Sequence, residues 1–563
     1  MKRIIYILAA LFLFSGCESF LDTESFTKKN TSNFPATQDD AEQMITGIYA
    51  SMNDLIRNPE VHPFYMSEMS GDDRLGGGST SNRGAQSLDR LLNPGVSFFE
   101  DLWQRRYAGI FRANMAIQTM DNVTGWVTAG KREQLLGEAH FLRAYFYLDL
   151  VQAFGQVPLV LETDPQNLPK SPADEIYAQI ASDLKEAIAL FPATPFPNYG
   201  AGHASKWAAE ALMARVYLFY TGFYNKSSLP LAGGGSVSKQ EVVAWLEDCI
   251  QNSGHALVSD QRNIWPYTNP YTATHYQYAK ENNLVWEGDG CKETIFALKF
   301  SNTGAEGYFN RIVEFFGMRL SNANNFPFMP QGYSNGPVST KLWDDWAGDP
   351  DYAGDYRLRG SICSEAEEIP NYVGDKTKEV EKTRLWAKKY LGVGAYEGDN
   401  LITSFAYFYG GINNRQQGLT SDLILIRLAD VYLMHSELSE TPTYMNKVRE
   451  RAQLPPYGSY SLQALKKERR FELCFEGLRW NDLRRWGDVQ QIVANQEGLA
   501  ITNRGTKGTF TFGKFDFMER YAQTGGGFWK IPDAQVTLSE GVLEQNPGWE
   551  TAYDFIALPY YSK

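Results

Sequence analysis

The side chains here that could do chemistry are aromatic and polar ones crowded into stretches rich in glycine and asparagine. An early loop carries Asp72, Asp73, Arg74, Asn82 and Arg83. Residues 261–290 hold Trp265, Tyr267, Tyr271, Tyr276 and Trp286 among Asn269, Asn282 and Asn283. Residues 333–357 and 386–409 add Tyr333, Trp343, Trp346, Trp386, Tyr407 and Tyr409. A pyranose ring presents a flat C–H face to Trp or Tyr and hydroxyl edges to Asp, Asn, Gln and Arg. Such a set holds a ligand without cutting it. For Trp343 and Trp346, packing inside an irregular lobe is the plainer reading.

Catalytic signatures are missing from the sequence. A glycoside hydrolase needs two carboxylates about 5–10 Å apart, and no motif marks such a pair. His62, His140, His203, His255, His275 and His435 show neither HExxH nor close ligand spacing. There is no GxSxG, no P-loop and no dinucleotide fingerprint. Asp349-x-Asp351 with Gly354 echoes a calcium loop, but Gly360 stands where the closing Glu belongs. No cofactor and no metal are expected. Cys249, Cys291, Cys363 and Cys474 lack CxxC spacing and read as buried free thiols, with one long-range disulfide as the alternative.

The elements that must position these side chains are mostly helical. Apolar residues recur at three- and four-residue steps over 37–55, 98–120, 132–154, 205–221 and 240–252. Ser171 and Pro172 open another helix, with Asp174 and Glu175 at its positive end. Stacked helical hairpins would bury each apolar stripe against the next. From 255 to 420 the periodicity fades among Pro, Asn, Gly and Tyr. That stretch is too long for a loop and reads as an irregular lobe with short strands such as 294–300. Helical spacing returns over 421–440, 443–453 and 461–487. The net charge of −13 argues against nucleic acid as a partner.

Residues 1–17, MKRIIYILAALFLFSGC, place a basic head before an apolar run of eleven residues and a small pair ahead of Cys17. The run suits a signal peptide and is too short to span a bilayer. It looks like a bacterial lipoprotein signal with lipid attached at Cys17. An ordinary secretory signal and an uncleaved anchor are the alternatives. Residues 18–33 read as a polar tether.

Together with that signal and the FLDTES after it, three further pieces resemble the SusD/RagB family of nutrient-binding outer-membrane lipoproteins. These are LIRLADVYLMHSE at 425–437, LKKERRFELCFEGLRWNDLRRWG at 465–487 and WKIPDAQVTLSEGVLEQNPGW at 529–549. The resemblance implies a mostly α fold. Four tetratricopeptide-like helix pairs form the scaffold, and a loop-rich lobe carries the ligand face. It implies lipid anchoring facing the cell exterior and a TonB-dependent, SusC-like transporter as partner. It also implies capture of oligosaccharide, or in some members peptide, without catalysis. A structural lipoprotein without its own ligand, and last a hydrolase, remain as other readings.

The expected organisation is signal 1–16, tether 17–36, helical scaffold 37–254 with a ligand loop near 62–94, ligand lobe 255–420, and C-terminal helical region 421–563. In related proteins the early loop and the mid-chain segment both lie at the ligand face. Polar contacts are therefore expected from Asp72, Asp73, Arg74 and Asn82, and stacking from Trp265, Tyr267, Tyr271, Trp286 and Tyr409. Trp265→Ala and Trp286→Ala are expected to weaken glycan binding with little change in melting. Glu468, Arg469 and Glu472 read as one charged ladder on a helix over 461–477, ended by Gly477 and followed by Arg479, Asp482 and Arg485. Their expected role is structural.

Overall fold

The computed structural model describes residues 34–550, apart from 96, 165, 271–273, 275, 302–308, 320–331, 371, 373, 392–393, 398–399, 404–418 and 514–515. The lipid-attachment residue Cys17 and the candidates Tyr271 and Tyr409 lie outside the described residues.

Eight helices carry the scaffold as four pairs. They are α1 (Gln38–Asn53) with α4 (Glu100–Thr119), α5 (Lys131–Phe154) with α6 (Ala173–Leu190), α7 (Lys206–Phe223) with α8 (Lys239–Asn252), and α9 (Leu428–Ser439) with α10 (Thr443–Arg451). Each pair also packs on the next, α4 on α5, α6 on α7 and α8 on α9, and the apolar stripes from α1 to α9 share one core while α10 packs with α9 and Leu465 in a smaller one. The caps follow the sequence in most places. The Ser205 side chain accepts from the Ala208 N–H, and Ser238 with Glu241 forms a capping box. At α6 Pro172 itself is the N-cap residue and no side chain caps it.

Residues 421–440 depart from the helical expectation. Leu423–Arg427 is a strand, β4, paired antiparallel with β1 (Thr294–Leu298), and α9 starts only at Leu428. Ile424, Leu425 and Ile426 are all buried, so the run has no solvent face and no period to betray its conformation. The mid-chain lobe is built of short 3-10 turns, short helices and two-stranded pairs such as β2 (Ile362–Ser364) with β3 (Leu385–Ala387). A hairpin of β5 (Ala500–Asn503) and β6 (Thr506–Thr509) docks on it, with Lys382 and Thr502 exchanging backbone hydrogen bonds of 3.0 and 2.9 Å.

Two short helices tie these parts together. They are α11 (Leu462–Glu472) and α12 (Arg479–Trp486). The charged ladder expected on a single helix is two sets facing different ways. Glu468 and Glu472 both receive Arg357 at 2.7 Å, and Glu472 also receives Arg427 at 2.5 Å and Arg451. Arg469 turns away to Asp430 at 2.8 Å and Asp482 at 2.9 Å, while Arg485 holds Asp482 and Glu437. These groups are almost all buried, and each carboxylate has several donors, which is what buried charge requires. Helix α11 also ends earlier than expected, at Glu472, and Gly477 lies in the connection to α12 with φ +76.

The tail is fixed in the same manner. Asn546 Nδ2 donates to the carbonyls of Phe154 and Trp529, both at 2.8 Å, and Trp549 stacks on Trp529. Cys249, Cys291, Cys363 and Cys474 are buried free thiols. Among the described residues no helix is long and apolar enough to cross a membrane.

Candidate ligand-binding face

The loop after α2 (Pro63–Ser70) starts with Asp72, Asp73 and Arg74, three of the expected ligand contacts. The structure places them under the surface instead. Asp72 receives Arg479 Nε at 2.6 Å, Asp73 receives Arg470 Nε at 2.8 Å, and Arg74 Nε donates to Glu68 at 2.7 Å. All three are buried. Burial alone would raise the Asp72 carboxyl, but Arg479 and Arg470 outweigh it and hold it well below the usual range. At Asp73 burial wins, helped by Asp72, and the carboxyl is raised despite Arg470. Charges so engaged are the footing of the loop and present nothing to a ligand.

From Gly76 onward the loop is held by its backbone. The N–H of Gly76 donates to Asp89 at 2.7 Å, and that of Gly77 to Glu381 at 2.8 Å. Gln86, on α3 (Arg83–Arg90), donates to the carbonyls of Gly77 and Ser79. Gly77 has φ +62, and a Cβ there would lie 2.2 Å from Pro337 Cδ, so only glycine fits. The pinned chain bridges to Asn335 at Gly77 and to Glu379 at Ser79.

What emerges at the surface is the tip, residues 80–83. Ser81 and Arg83 are exposed, and Asn82 is half-buried with its Oδ1 receiving the Ser79 N–H at 2.9 Å. Beside it, the Gly78 N–H donates to the Ser334 carbonyl at 2.7 Å. Next to Ser334, half-buried Tyr333 packs on half-buried Phe315 with ring centroids 5.0 Å apart. Phe315 rests edge-on against buried Tyr65. Arg319 donates to the Tyr333 carbonyl at 3.0 Å, and its own carbonyl accepts the Tyr372 hydroxyl at 2.7 Å. Tyr372 in turn reaches Glu379, the bridge partner of Ser79.

At Tyr372 and Glu379 the circuit meets an open cavity of about 310 Å³, the lower end of small-ligand sites. Its walls include Tyr372, Glu379, Lys382, Arg384 and Thr502. Burial pushes the Glu379 carboxyl up to about 7, against the pull of Lys382 and with the help of Glu365. A ring pair beside a polar cavity can take the face of a sugar and its hydroxyls together.

The expected aromatic partners do not join this face as planned. Trp265 is fully buried against Tyr390, with Lys389 Nζ 4.9 Å from its ring, and Tyr267 is equally buried with its hydroxyl on the Gly360 carbonyl. Both are core, because an indole and a phenol supply large apolar area to the lobe. Trp346 and Trp386 are core as well, and Trp343 is half-buried. Trp286 keeps some exposed surface while its Nε1 donates to the Ile264 carbonyl at 3.3 Å. Phe315 escapes a reading by composition, since one Phe in an apolar run gives no sign of exposure. Lys382 and Arg384 stand among the alternating charges of 375–384, a signal that a search for aromatic and polar clusters passes over.

The comparisons match this architecture at both ends. A family model described as starch-binding associating with outer membrane matches residues 19–218, and the SusD family model matches residues 364–549. The chain belongs to the SusD/RagB family. Family members are non-catalytic binding proteins. A SusD-like protein P25 of Formosa agariphila is 24% identical over 548 residues, covering 88% of this chain and 91% of that one. Among solved structures, a laminarin-binding SusD-like protein superposes with TM-score 0.67 at 23% identity, covering 91% of this chain and all of the other. Surface glycan-binding protein A from Bacteroides fluxus gives TM-score 0.67 at 22% identity, covering 92% of this chain and 100% of the other. The loop tip falls in the first matched span and the cavity walls in the second. Phe315 and Tyr333 fall between the two, in the part of the SusD/RagB chain that neither model covers.

Proposed function

We propose that the chain captures oligosaccharide at the face formed by the 80–83 tip, the Phe315–Tyr333 pair and the adjoining cavity. It delivers the ligand intact to a TonB-dependent, SusC-like transporter, held to the outer membrane by lipid on Cys17. The observation that carries this reading is membership of the SusD/RagB family together with a half-exposed ring pair set beside a polar cavity. Relatives of the same fold bear names of glycan and laminarin binders, which supports sugar over peptide as the ligand class. Of the residues singled out by sequence, Asn82 and Trp286 keep surface for a ligand.

The test is a glycan array with the full chain in mild detergent, followed by calorimetry on the best ligand. Tyr333→Ala combined with Phe315→Ala is expected to weaken that binding about tenfold, the worth of roughly 1.4 kcal/mol of lost stacking. Trp286→Ala in the same assay reports on the other surface. An array with no glycan hit and a clear peptide hit would replace sugar by peptide.

A further inference from the structure

The face described above has a charge pattern opposite to that of the whole chain. Lys376, Lys378, Lys382 and Arg384 follow one another in a single turn-rich segment. The β5–β6 hairpin brings Arg504 and Lys507 to the same place. Arg504 donates its backbone N–H to the Glu379 carbonyl at 2.7 Å and its Nε to the Thr377 carbonyl at 3.2 Å. A Cβ on Gly505 would lie 3.7 Å from the Lys376 side chain.

Lys376, Lys382 and Arg384 line the cavity, and Lys378, Arg504 and Lys507 stand on the adjoining turn and hairpin, in a protein whose net charge is −13. Glu365, Glu379 and Asp375 line the cavity too, and the first two lie deeper than the cations. Glu365 is 1% exposed and receives Lys382 at 3.2 Å, Arg384 at 3.1 Å and Trp386 Nε1 at 2.8 Å. Glu379 is 5% exposed, with Lys382 at 3.8 Å and the Tyr372 hydroxyl at 3.3 Å. Glu381 is buried under Arg90, and Asp375 accepts from Thr377 with Lys378 at 3.8 Å.

The cations point the other way. Side chains of Lys378 and Arg384 are 63% and 59% exposed, and Lys376, Arg504 and Lys507 are exposed with no carboxylate partner among the described residues. Arg319, between the cavity and the ring pair, leaves its buried Nε without a partner among the described residues. With Glu365 and Glu379 buried below and five exposed ammonium and guanidinium groups above, the field gathers anions, while the 21% exposed Asp375 is engaged by Thr377 and Lys378. Guanidinium groups also meet carboxylates and sulfates with paired N–H donors.

We infer that the ligand held at this face is an acidic oligosaccharide, one bearing uronate carboxylates or sulfate esters, with the rings on Phe315 and Tyr333 and the anionic groups on the cationic rim of the cavity. This rests on the glycan-binding reading and narrows it. A neutral glycan would leave the rim without a function.

The test uses the full chain in mild detergent and a panel of acidic oligosaccharides: oligogalacturonate, alginate, heparin and chondroitin sulfate fragments. Each is paired with its carboxyl-reduced or desulfated counterpart. The expected result is tightest binding to an acidic member, at least tenfold weaker for its neutral counterpart. A further fall of at least tenfold is expected between 50 and 300 mM NaCl, since exposed charges are screened. The combined variant Lys376→Glu, Arg504→Glu, Lys507→Glu should lose the acidic ligand while melting as the parent does.

Equal binding of neutral members, insensitive to salt and to the triple variant, overturns the inference and leaves glycan capture standing. Absence of binding to every glycan, acidic or neutral, overturns both. Binding of phosphatidylglycerol vesicles that depends on the same three residues, without glycan binding, also overturns it and makes the patch a membrane contact.

Discussion

Trp265 shows how far one side chain's role depends on burial. Its indole is fully enclosed, so removing it empties core volume and takes the ring from beside Lys389 and Arg427, which keep their carboxylate partners. Trp265→Ala is expected to cost about 3–5 kcal/mol, read as a lower denaturant midpoint. Any loss of glycan binding in that variant would follow from unfolding. This reverses the expectation that the substitution spares the melting curve. Composition could not separate the two cases, since Trp265 and Trp286 stand in the same Asn- and Gly-rich stretch. Asp72 and Asp73 mislead for a related reason. An Asp-Asp-Arg run beside glycines reads as a solvated loop, and the guanidiniums that bury it, Arg470 and Arg479, lie at the far end of the chain. The sequence did expose both halves, Asp72–Arg74 as a loop and 465–487 as a charged signature. It contained no rule for joining them.

At the scale of elements, the α11–turn–α12 unit is the part that the sequence motif describes and the part on which the others converge. Its helix α11 faces Arg357 and Arg427 on one side and Asp430 on another, and Arg470 and Arg479 carry the ligand loop. The turn between the helices works only with Gly477. Its φ of +76 disfavours any L side chain, and a Cβ would sit 2.7 Å from the Phe64 ring. Gly477→Ala is expected to cost about 1–2 kcal/mol from the backbone alone, and more from the overlap. Gly47 is the control, inside α1 with nothing within 4 Å of its Cβ position. Gly47→Ala is expected to gain roughly 0.5–1 kcal/mol. Chemical unfolding with an unchanged m-value checks both, and equal midpoints for the two variants would contradict the account. The helix pairs were legible because amphipathic spacing is a local property. The β4 strand was not, because a strand buried on both faces has no alternation to read.

For the whole molecule, the balance between buried acids where desolvation outweighs the neighbouring cations and those where the cations win sets how stability depends on pH. Burial pushes several carboxyls up: Glu210 to about 9, Asp89 to about 8, Glu60, Asp289 and Glu379 to about 7, and Asp149 to about 6. In the unfolded chain these acids titrate near their ordinary values. The folded protein therefore holds more protons above pH ~4.5, and each such group lowers stability as pH rises through its window. Burial works oppositely on His62, His255 and His435, which are held below their ordinary value. They must gain a proton on unfolding as pH falls below ~6.5, so acid favours the unfolded state there. Acids whose cations outweigh burial act lower still. Arg215 and Arg469 outweigh burial and hold Asp430 at about 2, and Glu472 is held well below its usual range by Arg451, Arg427 and Arg357. The stability these two contribute is complete above their unfolded values and is lost as pH drops below ~4.5. The three windows meet near pH 6. Melting temperature is expected to peak about there, fall by several degrees toward pH 8.5 and collapse below pH 4. Glu379→Gln removes one of the rising-pH penalties and should flatten the alkaline limb without moving the acid one. A melting profile that climbs steadily from pH 6 to 8.5 would mean that these carboxyls ionise freely in the folded protein, and with it the cavity beneath the cationic rim would be wetter and more negative than its geometry implies.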